Sequence, residues 1–426
     1  MKVFFRRIHL YLALAAGLVF FVQCLTGTVL VFEEEITHAL YPARYSVAPP
    51  AGQPRLALAQ LASQFGQANP AAKVFGFKVY ADPTRTVELS FRDGKARPDG
   101  PPRGEMGGRE PQQSGQEGGG GNRGERGKGR GEGGRGEGRG PQKGRPERGS
   151  TAFVNPYTAQ VVGVQKEKQL PIFKFAEDLH RRLLAGEIGK ALTGLSALFI
   201  LVITATGIVL WWPKTRAMLT GRLRIKWGAS GKRLTHDLHI VLGFYCSLFL
   251  FGLAFTGVIM SYRWATESLF WLTGSRPTVG LPTPRSAAEG GAIIAYDAAL
   301  RTGQATYPTA EFWRIGAPKD PAAAVAVSAP STLPLRSLGL DTLFVDRATG
   351  APLAQHRYGR QSAGAQLRRL TKPLHTGEIG GIWTKILALV VTLCSLTFPV
   401  TGVLMWLSRT RKVKRKSGRV AVTVGG

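Results

Sequence analysis

The sequence predicts a membrane α-helical protein: a four-transmembrane-helix bundle built from two tandem helix–domain–helix repeats, with two small α+β domains outside the membrane. Three observations support this fold class. The chain has four long apolar windows, motif spacings that match between its two halves, and strand-like patterns in both long segments between the windows. Apolar stretches of this length and repeats at fixed spacing are strong sequence signals.

The apolar windows predict four membrane spans. Each is close to the roughly 20 residues that a helix needs to cross a hydrocarbon core of about 30 Å, and none contains a charged residue. Three glutamates follow the first window, and it lacks a small-x-small cleavage site, which favours a retained span over a signal peptide. The windows run about Leu10–Phe32, Ala191–Trp212, Ile240–Met260 and Ile386–Leu407.

Basic residues predict the orientation of the spans. The segment Pro213–Thr235 holds seven Lys or Arg and no acid, and the tail from Arg409 onward holds seven more, also without an acid. Short loops rich in Lys and Arg stay in the cytoplasm. We therefore expect cytoplasmic N and C termini, with the lipid bilayer as a partner. The net charge of +29 is then topological and requires no nucleic acid.

These boundaries divide the chain into eight parts. The predicted parts are helices 1–35, 176–213, 236–262 and 371–408, outer domains 36–175 and 263–370, a cytoplasmic loop 214–235 and a basic cytoplasmic tail 409–426.

Histidines and Thr-Gly pairs recur at the same spacings in both halves. Thr26 follows His9 by 17 residues, as Thr256 follows His239. In the second span of each half, the Thr follows the histidine by 26 residues and a Gly-Glu-Ile-Gly segment stands between them. These residues are His180, 186–189 and Thr206, and His375, 377–380 and Thr401. Two independent spacings that match in this way indicate a duplication.

Both long outer segments show the pattern of a small α+β domain. A helical stretch leads into strand-like runs, and a strand–turn–strand unit closes each segment. The helical stretches are 56–65 and 293–301, the strand-like runs are 73–80, 86–91, 312–315 and 323–327, and the closing turns are 153–158 and 344–350.

A tract dominated by Gly, Arg, Glu and Pro interrupts the first domain from about Lys95 to Ser150. It offers no apolar segment to bury, so we expect it to be disordered. Arg-Gly runs can bind RNA. Because acids nearly balance bases here and the tract lies outside the membrane, a solvated insertion is the better interpretation.

Four of the seven histidines lie at matched span ends. If an axis along the membrane normal relates the halves, His9 faces His239 at the cytoplasmic boundary, and His180 faces His375 on the outer side. Two imidazoles facing across an axis are what a six-coordinate haem iron needs as axial ligands. The sequence therefore predicts two b-type haems, with these four histidines as ligands of the haem iron.

Two points stay open at this stage. His236 lies one turn before His239 and could replace it as a ligand, although the repeat spacing favours His239. His180 and His375 precede the apolar windows by about eleven residues. If these residues are helical, the outer haem would lie at the lipid headgroups unless the chain bends back near Gly-Glu-Ile-Gly. The remaining histidines, His38 and His356, have no partner in the other half and read as surface residues.

The sequence resembles the PepSY-associated transmembrane proteins of bacterial inner membranes. The resemblance covers nearly the whole chain apart from the Gly/Arg tract. It rests on Arg7-Ile8-His9, Leu179-His180-Arg181 with 186–189, Asp237-Leu238-His239, Gly207–Trp212 and the Asp346–Gly350 turn. In the fourth span Trp406-Leu407 replaces Trp-Trp, and the first hairpin has Asn155 where Asp is usual. The resemblance implies PepSY-like outer domains and a family whose members include di-haem reductases of ferric siderophores.

Transmembrane electron transfer is the leading functional hypothesis. A cytoplasmic-side donor, quinol or a separate reductase, would reduce the inner haem, and the outer haem would reduce a periplasmic ferric acceptor such as a ferric siderophore. We find no flavin or nicotinamide motif. The catalytic residues are unknown. The alternative is a non-enzymatic, membrane-anchored PepSY protein that binds a peptide, protease or sensor. A transporter is less favoured because the spans lack intramembrane charges.

The topology can be tested with reporter fusions. Fusions after Arg216 and after Arg411 should both report cytoplasm, whereas fusions near Gly120 and Pro318 should both report periplasm, because the basic segments hold their ends inside. A single fusion on the opposite side would contradict the two-repeat interpretation.

Overall fold

The computed structural model describes residues 1–93, 149–165, 169–277, 283–286, 294–317, 320, 322–332 and 339–423. The tract predicted to be disordered, 95–150, lies outside these residues except at its last two positions, and the first residue of the predicted helix 293–301 lies outside them too.

The helices, in chain order, are α1 (Lys2–Leu30), α2 (Glu33–Leu40), α3 (Pro42–Tyr45), α4 (Leu58–Ala68), α5 (Pro171–Arg182), α6 (Gly186–Trp211), α7 (Arg216–Arg222), α8 (Gly231–Ser261), α9 (Arg263–Leu272), α10 (Tyr296–Thr306), α11 (Ala363–Thr376) and α12 (Gly381–Thr423). The strands are β1 (Ala72–Tyr80), β2 (Val87–Asp93), β3 (Ser150–Val154), β4 (Val161–Gln165), β5 (Phe312–Gly316), β6 (Val325–Pro330), β7 (Leu340–Val345) and β8 (Pro352–His356).

Among the described residues, four helical segments are long and apolar enough to cross a membrane. They are α1, α6, α8 and the segment Glu378–Thr410, in which a short 3₁₀ turn precedes α12. The spans pack as a bundle, since α1 and α8 each contact both α6 and α12. Apolar side chains fill its centre, among them Phe20, Ile200 and Leu250. The chain is therefore a multi-pass membrane protein with four apolar helices.

The two ends of the bundle differ in character. We call the end that holds Arg6, Arg222 and Arg409 the basic end. The opposite end, where the spans lead into the strands, is the sheet end. α1 and α8 run from the basic end to the sheet end, and α6 and α12 return.

The strands form one eight-stranded antiparallel sheet in the order β4-β3-β2-β1-β5-β6-β7-β8. One face of the sheet carries alternate apolar residues that pack against α4 and α10. Members of this core include Leu61, Phe77, Leu89, Ile315 and Val327, each almost completely buried. All the predicted strand-like runs lie in or overlap strands of this sheet, with boundaries shifted by a few residues.

The two outer segments, predicted as two small α+β domains, join edge to edge. β1 pairs with β5 in antiparallel register, from Gly76 opposite Gly316 to Tyr80 opposite Phe312. Asp297 of α10 also accepts hydrogen bonds from the first backbone N–H groups of α4, at 2.7 and 3.1 Å. A carboxylate at a helix N-terminus is favourable because it satisfies unpaired N–H groups. Unpaired edges of β1 and β5 would expose backbone groups, and their pairing removes both edges.

The closing hairpins use the same turn with different residues. Asp346 accepts hydrogen bonds from the N–H groups of Ala348 and Thr349, and Asn155 accepts one from the N–H of Tyr157. A side-chain hydrogen bond from Ser286, followed by the N–H of Thr349, holds the pKa of Asp346 well below its usual range. Asn155 therefore preserves the turn geometry without the charge.

Alanine substitutions at Gly76 and at its partner Gly316 test the pairing of β1 with β5. A Cβ on Gly76 would lie 2.7 Å from the backbone oxygen of Ile315, whereas a Cβ on Gly316 would meet nothing within 4 Å. We expect Gly76→Ala to lower stability by about 1–3 kcal/mol because strand backbone must move, and Gly316→Ala to have a much smaller effect. Apparent unfolding temperatures in detergent measure the difference. Equal temperatures for the two variants would contradict this register.

Candidate functional site

The structure brings His9 and His239 together at the basic end. Their ring centroids are 6.4 Å apart and the ring planes are inclined by 76°. His9 lies near the start of α1 and His239 in the first third of α8, and these helices run in the same direction through the bundle. Two helices with the same direction thus present two imidazoles to one space.

His180 and His375 form a second pair at the sheet end. Their ring centroids are 6.1 Å apart and the planes are inclined by 67°. Two imidazoles that hold one metal ion between them, each at about 2 Å, have ring centres roughly 6 Å apart. Both pairs have this separation.

A threonine on a neighbouring span orients each of the four imidazoles. His Nδ1 lies 2.8–3.1 Å from threonine Oγ1 in every case. The pairs are His9 with Thr206, His180 with Thr26, His239 with Thr401 and His375 with Thr256.

These contacts settle the tautomer of each ring. The threonine hydroxyl donates its only hydrogen to a carbonyl one turn back in its own helix; Thr206, for example, donates to Val202 O at 2.8 Å. It can therefore only accept from the histidine, so Nδ1 carries the proton. At the sheet end the carbonyl oxygens of Gln23 and Leu253 also accept from Nδ1, both at 3.0 Å. The Nε2 lone pair of each ring is left available as a metal ligand.

The glycine after each threonine leaves room for the ring. A Cβ on Gly207 would lie 3.4 Å from Cε1 of His9, and one on Gly27 would lie 3.5 Å from Cε1 of His180. Gly257 and Gly402 stand in the same relation to His375 and His239, at 3.5 and 3.8 Å. A side chain longer than alanine would displace the ring. In each Thr-Gly pair, the threonine therefore forms the hydrogen bond to the histidine and the glycine leaves space for its ring.

A reversal of the chain brings His180 to the level of span 1. α5 ends at Arg182, its C-cap Leu183 has φ +47°, and α6 starts anew at Gly186 with φ +57°. The two helices touch so closely that a Cβ on Gly189 would meet the carbonyl of Arg182 at 1.6 Å. His180 therefore lies beside Gly27 in α1, well inside the headgroup position that a continuous helix would give it.

The two Gly-Glu-Ile-Gly segments, aligned in the sequence as copies, have different roles. The first starts α6, whereas the second forms the left-handed residue Gly377 and the 3₁₀ turn Glu378–Gly380 before α12. The first follows its histidine by six residues and the second by two. The shift is about one helical turn, so similar residues occupy different turns of the two hinges.

A cavity of about 590 Å³ opens at the basic end and includes both imidazoles of the first pair in its lining. Its walls are mainly apolar, with Gly17, Gly207 and Gly402 among the lining residues. Cavities of this size commonly hold small molecules or cofactors. The space beside His9 and His239 can therefore receive a flat apolar ligand.

The remaining histidines lie elsewhere. His239, rather than His236, faces His9. His236 also lines the cavity, and its Nδ1 contacts the buried carboxylate of Asp237 at 3.6 Å. His38 packs against Tyr45 with the rings tilted by 44°, and His356 lies against Phe344.

An ion pair at the sheet end could not be predicted from the sequence. Nζ of Lys385 in α12 lies 2.7 Å from Oε1 of Glu35 in α2, and the lysine side chain is only 8% exposed. Lys190 stands at the matching position, sixteen residues before the Thr-Gly threonine in both α6 and α12, yet it is 45% exposed and pairs with Glu187 on its own helix. An isolated lysine beside an apolar window gives no sequence signal of its partner.

Comparison with known proteins identifies the family. The model of the PepSY-associated TM region matches residues 6–409, which is nearly the whole chain. No curated protein matches the chain.

Replacing Lys385 should cost more than replacing Lys190. Lys385→Met leaves the partly buried Glu35 without its partner, and we expect a loss of about 1–3 kcal/mol. Lys190→Met removes a solvent-exposed pair and should change stability by less than about 0.5 kcal/mol. Apparent unfolding temperatures in detergent provide the measurement, and adding Glu35→Gln to Lys385→Met should restore part of the loss. Equal effects of the two lysine variants would contradict a structural role for the Glu35–Lys385 pair.

Proposed function

The chain belongs to the PepSY-associated transmembrane family, and from this premise we propose that it is a di-haem electron-transfer protein of the bacterial inner membrane. Electrons would pass from a cytoplasmic-side donor to a periplasmic ferric acceptor, with a ferric siderophore as the proposed acceptor for iron uptake. The basic end would face the cytoplasm, since it carries the Lys- and Arg-rich segments.

One observation carries this proposal: two pairs of imidazoles with free Nε2 atoms lie at opposite ends of one bundle. His9 and His239 form one pair, and His180 and His375 form the other. Within each pair both rings have the same tautomer, held by a hydroxyl from the neighbouring span. A lone histidine at a membrane boundary often has a local structural role, but four with matched partners require a common explanation.

The donor set fits haem better than a bare metal ion. Among the residues that the structure describes, no group of three or more His, Cys, Asp or Glu side chains could hold a metal ion. Haem brings its own equatorial nitrogens and needs only two axial ligands from the protein. Two imidazoles with ring centres about 6 Å apart meet that requirement.

The cavity at the basic end is also suited to haem. The cavity has largely apolar walls, and glycines line the places where a planar ring would approach α1, α6 and α12. Bound haem would supply a one-electron carrier at each level of the bundle. The chain's own contribution is to hold neutral imidazoles in place and keep water from the apolar centre.

The two sites are separated along the bundle. His9 and Gly27, which contacts His180, are 18 residues apart on α1, or about 27 Å along a helix. The buried cluster between the levels consists of apolar side chains such as Phe20, Ile200 and Leu250. Such a centre disfavours the passage of ions and is compatible with the movement of electrons between bound carriers.

Histidine variants of the purified chain test the proposal. Wild type should contain two haems whose spectrum sharpens on reduction. Replacing His9 or His239 by Ala should remove one haem or leave it five-coordinate, and the double variant should do little more because the two residues serve one site. His9→Ala with His375→Ala should remove both. His236→Ala, the matched control, should retain both.

Variants of the pair at the sheet end test the transfer of electrons to the acceptor. Loss of His180 or His375 should abolish reduction of an external ferric chelate while the inner haem is still reduced. Full haem content in all four single variants would contradict the ligand assignment. A wild-type chain without haem bands would favour the alternative, a membrane-anchored PepSY protein that binds a partner.

A further inference from the structure

A row of polar side chains crosses one face of the eight-stranded sheet. The registers of neighbouring strands place its members directly opposite one another, from β2 to β8. The row consists of Glu88, Lys78, Arg314, Ser328, Thr342 and His356. Because side chains alternate along a strand, the apolar core beneath α4 and α10 lies on the opposite face. We call the face that carries the row the polar face.

The polar face is turned toward the bundle. α2 starts three residues after α1 ends, and its His38 packs against Tyr45 with ring centroids 3.9 Å apart. Tyr45 in turn packs against Phe153 of β3, at 5.1 Å. Phe153 lies opposite Glu88 in the sheet and therefore belongs to the polar face. The helices that lead out of the span α1 thus lie on this face, on the side of the sheet end.

Two cations meet at the centre of the polar face. Five residue pairs join β1 to β5, and Lys78 opposite Arg314 is the middle one. The two halves of the chain meet at this pair, as they meet in the bundle at His180 and His375. Like charges directly opposite one another in a sheet are unfavourable. The pairing of β1 with β5 nevertheless holds these two cations side by side.

Positive charge is in excess around this pair. Glu88 lies 3.5 Å from Nζ of Lys78, but no carboxylate lies within ion-pair distance of Arg314 or of Arg85 among the described residues. The guanidinium of Arg85 lies 4.3 Å from the centroid of the Tyr80 ring, close to Lys78. Burial lowers the pKa of Lys78; Glu88 opposes this shift, whereas the charges of Arg314 and Arg85 add to it. Three cations therefore share one acid.

Aromatic rings flank the cations, and a ligand can reach both. Nζ of Lys78 lies 4.4 Å from the centroid of Tyr80 and 4.7 Å from that of Phe312, which pair opposite each other beside the row. The Lys78 side chain is 20% exposed, and Arg314 is exposed. A Cβ on Gly316, two residues further along the same face, would meet nothing within 4 Å. The centre of the polar face is therefore open.

We propose that the centre of the polar face binds the ferric acceptor, and that this acceptor is an anionic chelate whose iron is held by negatively charged oxygens such as catecholates. This inference rests on the proposed function and adds the place and the charge of the acceptor. Lys78 and Arg314 bind the anionic oxygens, and Tyr80 and Phe312 pack against the flat rings of the chelator. The chelated ferric iron gains one electron from the outer haem and becomes ferrous, and no bond to the protein forms or breaks.

A cationic chelate is the competing occupant, because several acids lie at the sheet end of the bundle. Most of these acids already have a cation as partner. The pairs are Glu35 with Lys385, Glu177 with Arg181, Asp178 with Lys174, Glu187 with Lys190 and Glu267 with Arg263. These partners weaken the attraction that a cationic chelate would find there. The excess of cations on the polar face favours an anionic one.

Binding is measured with gallium(III) complexes, which have the charge and shape of the ferric ones but accept no electron. Full-length wild type in detergent at low salt should bind a negatively charged gallium tris-catecholate more tightly than a neutral gallium tris-hydroxamate, by calorimetry. Arg314→Gln should weaken binding of the anionic complex about fivefold, with little effect on the neutral one. High salt should reduce the difference. Arg301→Gln is the matched control, since it removes an exposed arginine from α10 on the other face of the sheet, and it should bind as wild type does.

Reoxidation of the reduced haems tests transfer separately. Wild type reduced with dithionite and freed of excess reductant should be reoxidised by the ferric tris-catecholate. In Arg314→Gln the half-saturating concentration of this complex should rise about fivefold while the limiting rate is kept, because the variant changes binding and leaves the haem ligands intact. Unchanged haem absorption bands show that the variant is folded.

The other outcomes overturn one proposal or the other. Equal affinity for the anionic and neutral gallium complexes, tighter binding of a cationic one, or an equal loss in Arg301→Gln overturns this inference and leaves the di-haem proposal intact. If the anionic complex does not bind but an acidic peptide does, and Arg314→Gln weakens the peptide, the occupant is a peptide and the inference is wrong. If the gallium complex binds as expected but the ferric complex leaves reduced haems unoxidised, the proposed function fails instead.

Discussion

The contact between each histidine and the Thr-Gly pair of a neighbouring span is the interaction on which the rest of the bundle's organisation depends. The threonine fixes the tautomer because its hydroxyl proton is already bonded to its own helix, and the glycine leaves the ring space to lie against that helix. Four such contacts link α1 with α6, α5 with α1, α8 with α12 and α11 with α8. They set the distance between helices and the direction of each imidazole at the same time.

That requirement explains the hinges at the sheet end. His180 must reach Thr26 inside span 1, although it precedes span 2 in the chain. A continuous helix would place His180 about 16 Å beyond the end of the apolar window. The reversal between α5 and α6 solves this problem at the cost of left-handed residues at Leu183, Leu184 and Gly186. Strained backbone of this kind persists when the surrounding contacts determine it, and here the close packing of Gly189 on α5 and the bond to Thr26 do so.

The two halves are matched in their histidine contacts but differ around them. Lys385 is buried on Glu35 while Lys190 is exposed, and Trp211 is buried while Trp406 is open. The sheet also consists of two similar sets of four strands, β1–β4 and β5–β8, which are joined by the pairing of β1 with β5. Matched contacts preserve two equivalent pairs of imidazoles, and the differences give each end its own electrostatic surroundings.

The four spans, the membrane class and the family could be predicted from the sequence, because apolar length and motif spacing are visible along the chain without knowledge of its packing. The sequence also placed His9, His180, His239 and His375 in matched pairs through their distances from Thr-Gly. Which threonine orients which ring depends on how the helices pack, since each bond joins residues more than 100 positions apart. The β1–β5 junction, the Glu35–Lys385 pair and the row of polar side chains across the sheet were likewise beyond the sequence. Each depends on side chains or strand edges that meet only after the helices have packed, and no local pattern specifies such a meeting.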